Sequence, residues 1–166
     1  PQTTSLSHKK MFIFSIKLST LIFLFLLAII HKAEELGGSE RRESLEHVII
    51  AARELGCESQ IGGGQAGGIN IRYGSIGYAL MDVNTEGLVK LYVQPHPGKS
   101  STKEFIDDIN GFIDEHEELE PKSFPINSYG HLEDKVEDIP NEVLADFLNY
   151  AMEKIHEEHY EPHYDW

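Results

Sequence analysis

Apolar residues in this chain follow two different periods, and the switch between them predicts the order of elements. From Ser39 to Leu55 the positions Leu45, Val48, Ile49, Ala52 and Leu55 recur at helical spacing, the signature of one buried helix face. Gly56 follows where a glycine closes a helix. After "ESQI" comes "GGGQAGG", a turn or loop too rich in glycine to hold an element. Three extended runs follow: "INIRYG" (69–74), "IGYALMDV" (76–83) and "LVKLYV" (88–93). The short connections Gly74-Ser75 and "NTEG" suit hairpins. Alternation puts Ile69, Ile71 and Tyr73 on one face, and sets Leu88, Lys90 and Tyr92 opposite Val89, Leu91 and Val93. That is a meander with one face covered.

The helical period then returns. Ser101 and Glu104 form a capping box for a helix to about Leu119, with Phe105, Ile106, Ile109, Phe112, Ile113 and Leu119 on its inner side. "FPINSYGHL" (124–132) reads as an irregular fourth strand and turn. Asp138 and Pro140 open a last helix striped by Val143, Leu144, Phe147, Leu148, Ala151 and Ile155. The order α-β-β-β-α-(β)-α predicts an α+β fold: a three- to four-stranded antiparallel sheet with helices packed on one face. A single domain is expected over 39–160, with a C-terminal tail at 161–166.

Residues 1–33 stand apart as a hydrophobic leader. "MFIFSIKLSTLIFLFLLAII", Met11 to Ile30, holds a single charge, Lys17, and is apolar without interruption from Leu21. Its length lies between a signal-peptide core and a bilayer span of roughly 20 residues. Lys9, Lys10 and Lys17 on the N-terminal side favour an N-in orientation, with the acidic domain outside the cytoplasm. "IIHKAEEL" places Ala33 at the −1 position of a cleavage site but His31 at −3, where a small residue is wanted, so an uncleaved anchor is favoured over export. A third reading competes, because the chain opens on Pro1: a non-native extension on a cytoplasmic domain. The expectation is a membrane contact through 11–30 if that segment is native.

Charge narrows the partners. The chain holds 14 Lys+Arg and 28 Asp+Glu, with every acidic residue at or after Glu34 and four of the lysines before it. Such a surface repels nucleic acid and suits a basic protein or peptide partner. The single cysteine, Cys57, excludes an intrachain disulfide and a cysteine-based zinc site.

The chemical motifs fail on their spacing. "VQPHPGKSST" ends in the Gly-Lys-Ser of a phosphate loop, yet Val93 stands where the first glycine must be, and Pro95 and Pro97 remove two N–H donors. What remains is a lone anion-binding spot at Lys99 and Ser100, at a helix start. "IGGGQAGGI" matches G-x-G-x-x-G, but a strand follows it where the dinucleotide fold requires a helix. No kinase lysine or catalytic loop accompanies it. His156, His159 and His163 in the C-terminal "HEEHYEPHYDW" form a candidate for weak divalent-metal capture, although Pro162 interrupts the helix that would align them. No other cofactor is indicated. His116 reads as a structural histidine beside Phe112. For acid–base chemistry the candidates are His96, His131, Asp82 and Glu86, which fall at strand ends and loops.

The order of elements over roughly 44 to 160, with "INIRYG", "VKLYV" and a late "YGHLED", resembles small α+β domains of unknown function; no residue and no activity carries over. Two functions are therefore expected: an acidic protein-interaction module, membrane-tethered through its leader, or a small, metal-assisted hydrolase working through loop histidines and carboxylates. Convergence of the four acid–base candidates around one pocket would separate them.

Overall fold

A computed structural model describes residues 4–62, 65–74, 78–94, 103–121 and 130–157, with side chains from Leu21 onward except at 78, 93, 94, 103–106 and 157. Helix α1 (Thr4–Glu54) leads into four strands, β1 (Glu58–Ile61), β2 (Gly68–Tyr73), β3 (Tyr78–Asn84) and β4 (Leu88–Gln94). Helix α2 (Lys103–Glu115), strand β5 (His131–Lys135) and helix α3 (Asn141–Glu157) complete the chain. The strands pair in the order β1-β2-β3-β4-β5, antiparallel throughout. The α+β class and the helix-backed meander follow the hydrophobic pattern.

The strand count does not. The sheet has five strands, because "ESQI" before the glycine loop is the edge strand β1, paired with β2 from Glu58↔Arg72 to Ile61↔Ile69. Only one of its residues is apolar, so alternation could not announce it; its ladder partners hold it. The late strand begins at His131, where the apolar pattern suggested 124–132, and residues 122–129 of that stretch lie outside those described.

Register explains the core. Ile69, Val83 and Val89 face one another across β2, β3 and β4, and so do Ile71, Met81 and Leu91. All six are buried, in one cluster with Leu45, Val48 and Ala52 of α1, Ile109 and Phe112 of α2, and Leu144, Phe147 and Leu148 of α3. Burying each large apolar side chain contributes about 1.5–3 kcal/mol. Pairing shifts at Ile71/Arg72 and at Ala79/Met81 let two successive residues, Leu80 and Met81, both be fully buried, as a bulge allows.

The helices keep their expected stripes at the described side chains, with altered ends; Ser101 and the side chains of Glu104, Phe105 and Ile106 lie outside those described. Helix α1 closes as the sequence suggests: the Cys57 N–H donates to the Ala52 carbonyl (2.8 Å) and the Gly56 N–H to the Arg53 carbonyl (3.0 Å), a Schellman closure. Helix α2 stops at Glu115, short of Leu119. His116 stacks on Phe112 at 4.0 Å and its Nδ1–H donates to the Phe112 carbonyl (2.8 Å), closing the last turn. A turn in which the Leu119 N–H donates to the His116 carbonyl (3.0 Å) still delivers Leu119 to the core.

At its other end α1 departs from the expected separation of leader and first helix. The backbone is helical from Thr4, broken only by a kink at Gly38 (φ 78°, ψ −173°). Before that kink, Ile29 and Ala33 are buried and Leu26 packs against the same core. After it, Arg41 reaches across the molecule. Its Nε donates to both Glu137 carboxylate oxygens (3.0 Å each), Nη2 donates to Oε1, and Nη1 donates to the Thr85 carbonyl (3.3 Å). Arg42 spans the kink, pairing with Glu34 at 3.1 Å.

Candidate functional site

The sheet's second face carries the polar half of each alternating strand, and among the described residues no helix packs on it. Register lines up a transverse row, Gln60↔Asn70↔Asp82↔Lys90↔His131, one residue from each of the five strands. A neighbouring row sets Glu58 opposite Arg72 and Arg72 opposite Ala79.

The row is internally bonded. Asn70 Nδ2 donates to Asp82 Oδ1, and the Tyr92 hydroxyl donates to Asp82 Oδ2 at 2.8 Å, so both carboxylate oxygens are engaged. Arg72 Nε donates to Asn70 Oδ1. These bonds let Asn70 lie buried at 8% exposure although it is polar, since a buried amide costs little once its donor and acceptor are both used. The Lys90 ammonium lies 4.7 Å from the centre of the Tyr92 ring. Burial pushes the Lys90 pKa down, against the pull of Asp82. Such an arrangement fixes the direction of each polar group before any ligand arrives.

Charge is divided between the two layers. Exposed carboxylates crowd the helices, among them Glu43, Glu54, Asp114, Glu115, Glu142, Asp146 and Glu153. The strands are closer to balance: Arg72, Lys90 and Lys135 accompany Glu58, Asp82, Glu133 and Asp134.

Of the four acid–base candidates, the structure brings two into one row, Asp82 and His131, with Lys90 between them. Glu86 lies elsewhere, exposed in the β3–β4 turn, where its N–H donates to Asn84 Oδ1 (3.0 Å) and its charge acts on Arg41. His96, Lys99 and Ser100 lie outside the described residues, as do His159 and His163. His156 is exposed on α3, edge-on to Tyr73 at 5.6 Å. No group of three His, Cys, Asp or Glu able to hold a metal occurs among the described residues. No sequence signal singles out the residues that tie the row together, Asn70, Arg72 and Tyr92. Alternation does place all three opposite the core face, but cross-strand register is invisible without the fold.

Cys57 is buried, with Sγ 3.9 Å from Met152 Sδ. Burial pushes its pKa to about 11. A thiolate population about a hundredfold smaller than that of an ordinary thiol follows at neutral pH. Native protein should therefore react with a disulfide reagent at least about a hundredfold more slowly than denatured protein, read by absorbance. Equal rates would show that the thiol is accessible and ordinary.

No protein-family model, curated protein or solved structure matches the chain.

Proposed function

We propose that the chain is a non-enzymatic interaction module, a single acidic α+β domain that recognises a protein or peptide partner on the outer face of its sheet. One observation carries the reading: the transverse row from Gln60 to His131 lies on the face that the described helices leave uncovered, with its central members oriented by mutual hydrogen bonds. The acidic helices steer a basic partner toward the domain, and the row provides directional contacts on arrival. Titrating the protein with lysine-rich peptides while following backbone amide shifts tests this. Shifts should centre on Asn70, Asp82 and Lys90, and Asp82→Ala should weaken binding about tenfold, or about 1.4 kcal/mol. Shifts confined to α2 and α3 would place recognition on the acidic helices and overturn the reading.

The alternative, a small, metal-assisted hydrolase, is supported by the shared row of Asp82 and His131. Two strand spacings, about 10 Å of backbone, separate them, with Lys90 on the strand between. Nitrophenyl-ester hydrolysis by the purified chain that survives both Asp82→Asn and His131→Ala would sink it.

A further inference from the structure

We infer that the apolar end of α1, Leu21 to Leu27, is covered by lipid, and that the domain is thereby held directly against a membrane surface. Leu21, Ile22, Phe23, Leu24, Phe25 and Leu27 are 42–60% exposed. Successive helix residues point about 100° apart, so these six side chains surround the axis on every side except the stripe where Leu26 packs against the core. A protein groove covers one stripe of a helix and leaves the remainder in water. A helix that is apolar all round needs a surrounding apolar medium.

The ends of the run agree with this. On one side lie Lys9, Lys10 and Lys17, with no carboxylate before Glu34, which suits anionic headgroups. On the other, apolar sequence stops at Ile30, and the exposed polar residues begin: Lys32 pairs with Glu35 at 3.0 Å, and His31 Nε2 lies 3.6 Å from the same carboxylate. Among the described residues no helix is long and apolar enough to cross a membrane; coverage by lipid requires only that these side chains enter the interface. Leu26, Ile29 and Ala33 meanwhile join the domain core from the same helix. No linker separates the lipid-facing turn from the folded domain.

The test is flotation of the full chain with vesicles of phosphatidylcholine and phosphatidylglycerol. Wild type should float with the vesicles, and Phe23→Asp/Phe25→Asp should reduce the floated fraction at least tenfold. Both side chains lie outside the core, so an unchanged circular dichroism spectrum and melting transition will show that the variant is folded. Wild type remaining at the bottom of the gradient would overturn the inference, as would a double variant that floats as well as wild type. A wild type that stays down as an oligomer, made monomeric by the double substitution, would assign the helix to second copies of the chain and overturn it too.

Discussion

Arg41→Met lowers the stability of the domain by about 3–5 kcal/mol, because it leaves the Glu137 carboxylate buried without its partner. The Arg41 and Glu137 side chains are only 9% and 13% exposed, and the guanidinium also satisfies the Thr85 carbonyl. Surrounding backbone leaves no slack. A Cβ at Gly87 would meet Glu137 Oε2 at 2.8 Å and Arg41 Nε at 2.9 Å, and one at Gly37 would overlap the guanidinium. Replacing both partners with apolar residues, Arg41→Met/Glu137→Leu, should recover most of the loss, since no charge is then stranded. Urea denaturation of the two variants checks this; a double variant as unstable as the single one would mean that lost packing, not the stranded carboxylate, causes the effect.

The same pair gives the stability a defined acid limb. Burial alone would push the Glu137 pKa up, but the hydrogen bond from Arg41, a backbone hydrogen bond and the charges of Arg41 and Lys135 together outweigh it, and the value in the folded protein lies below the ordinary 4.5. Arg41 is shifted upward by the hydrogen bonds it donates to Glu137, against the effect of burial. A carboxylate lowered on folding contributes stability that is complete above its unfolded pKa and is lost as pH falls through its folded one. The gap between wild type and the Met/Leu double variant should therefore shift in favour of the double variant between about pH 5 and about pH 3. Melting curves across that range measure it, and parallel curves would exclude a role for this carboxylate.

Gly130→Ala is the second change of large effect. Gly130 has φ of 73°, and a Cβ there would overlap the Leu91 carbonyl oxygen. The left-handed backbone alone costs an alanine about 1–2 kcal/mol, and the overlap must also push β5 away from β4. The Leu91 N–H donates to the Gly130 carbonyl at 2.7 Å, so that displacement breaks a ladder bond at the place where His131 is set opposite Lys90. A fall of at least about 3 kcal/mol is expected. Gly111→Ala is the control of opposite sign: the glycine lies on α2 with open space around it, and alanine there should add about 0.5–1 kcal/mol. Thermal melts of both decide the matter; a Gly130→Ala protein as stable as wild type would show that β5 pairing tolerates a shift at Gly130.

Much of the fold was legible because burial imposes a period on sequence. Ile69, Ile71, Val89 and Leu91 alternate since one sheet face is covered, and Leu144, Phe147, Leu148 and Ala151 recur since one helix face is. The edge strand β1 escaped because "ESQI" has no buried residue to mark it, and its conformation is imposed by β2. In β5, "HLEDK", only Leu132 is buried. For the candidate site, Asp82 and His131 could be named from their residue types, and Lys90 and Tyr92 could be given a common face. Their alignment with Asn70 depends on cross-strand register and on bulges at Ile71/Arg72 and Leu88/Lys90, and the sequence does not display these.

The strand order, identical to the chain order for the whole sheet, has a kinetic consequence. β1 to β4 assemble by successive hairpins whose loops are short, so each pairing carries a small loop-closure entropy. Arg41 and Glu137, 96 residues apart, close a far longer loop. The meander is thus able to form early, and docking of α1 against α3 is the step that most restricts the chain, which makes the rate of folding most sensitive to what holds the two distant ends together.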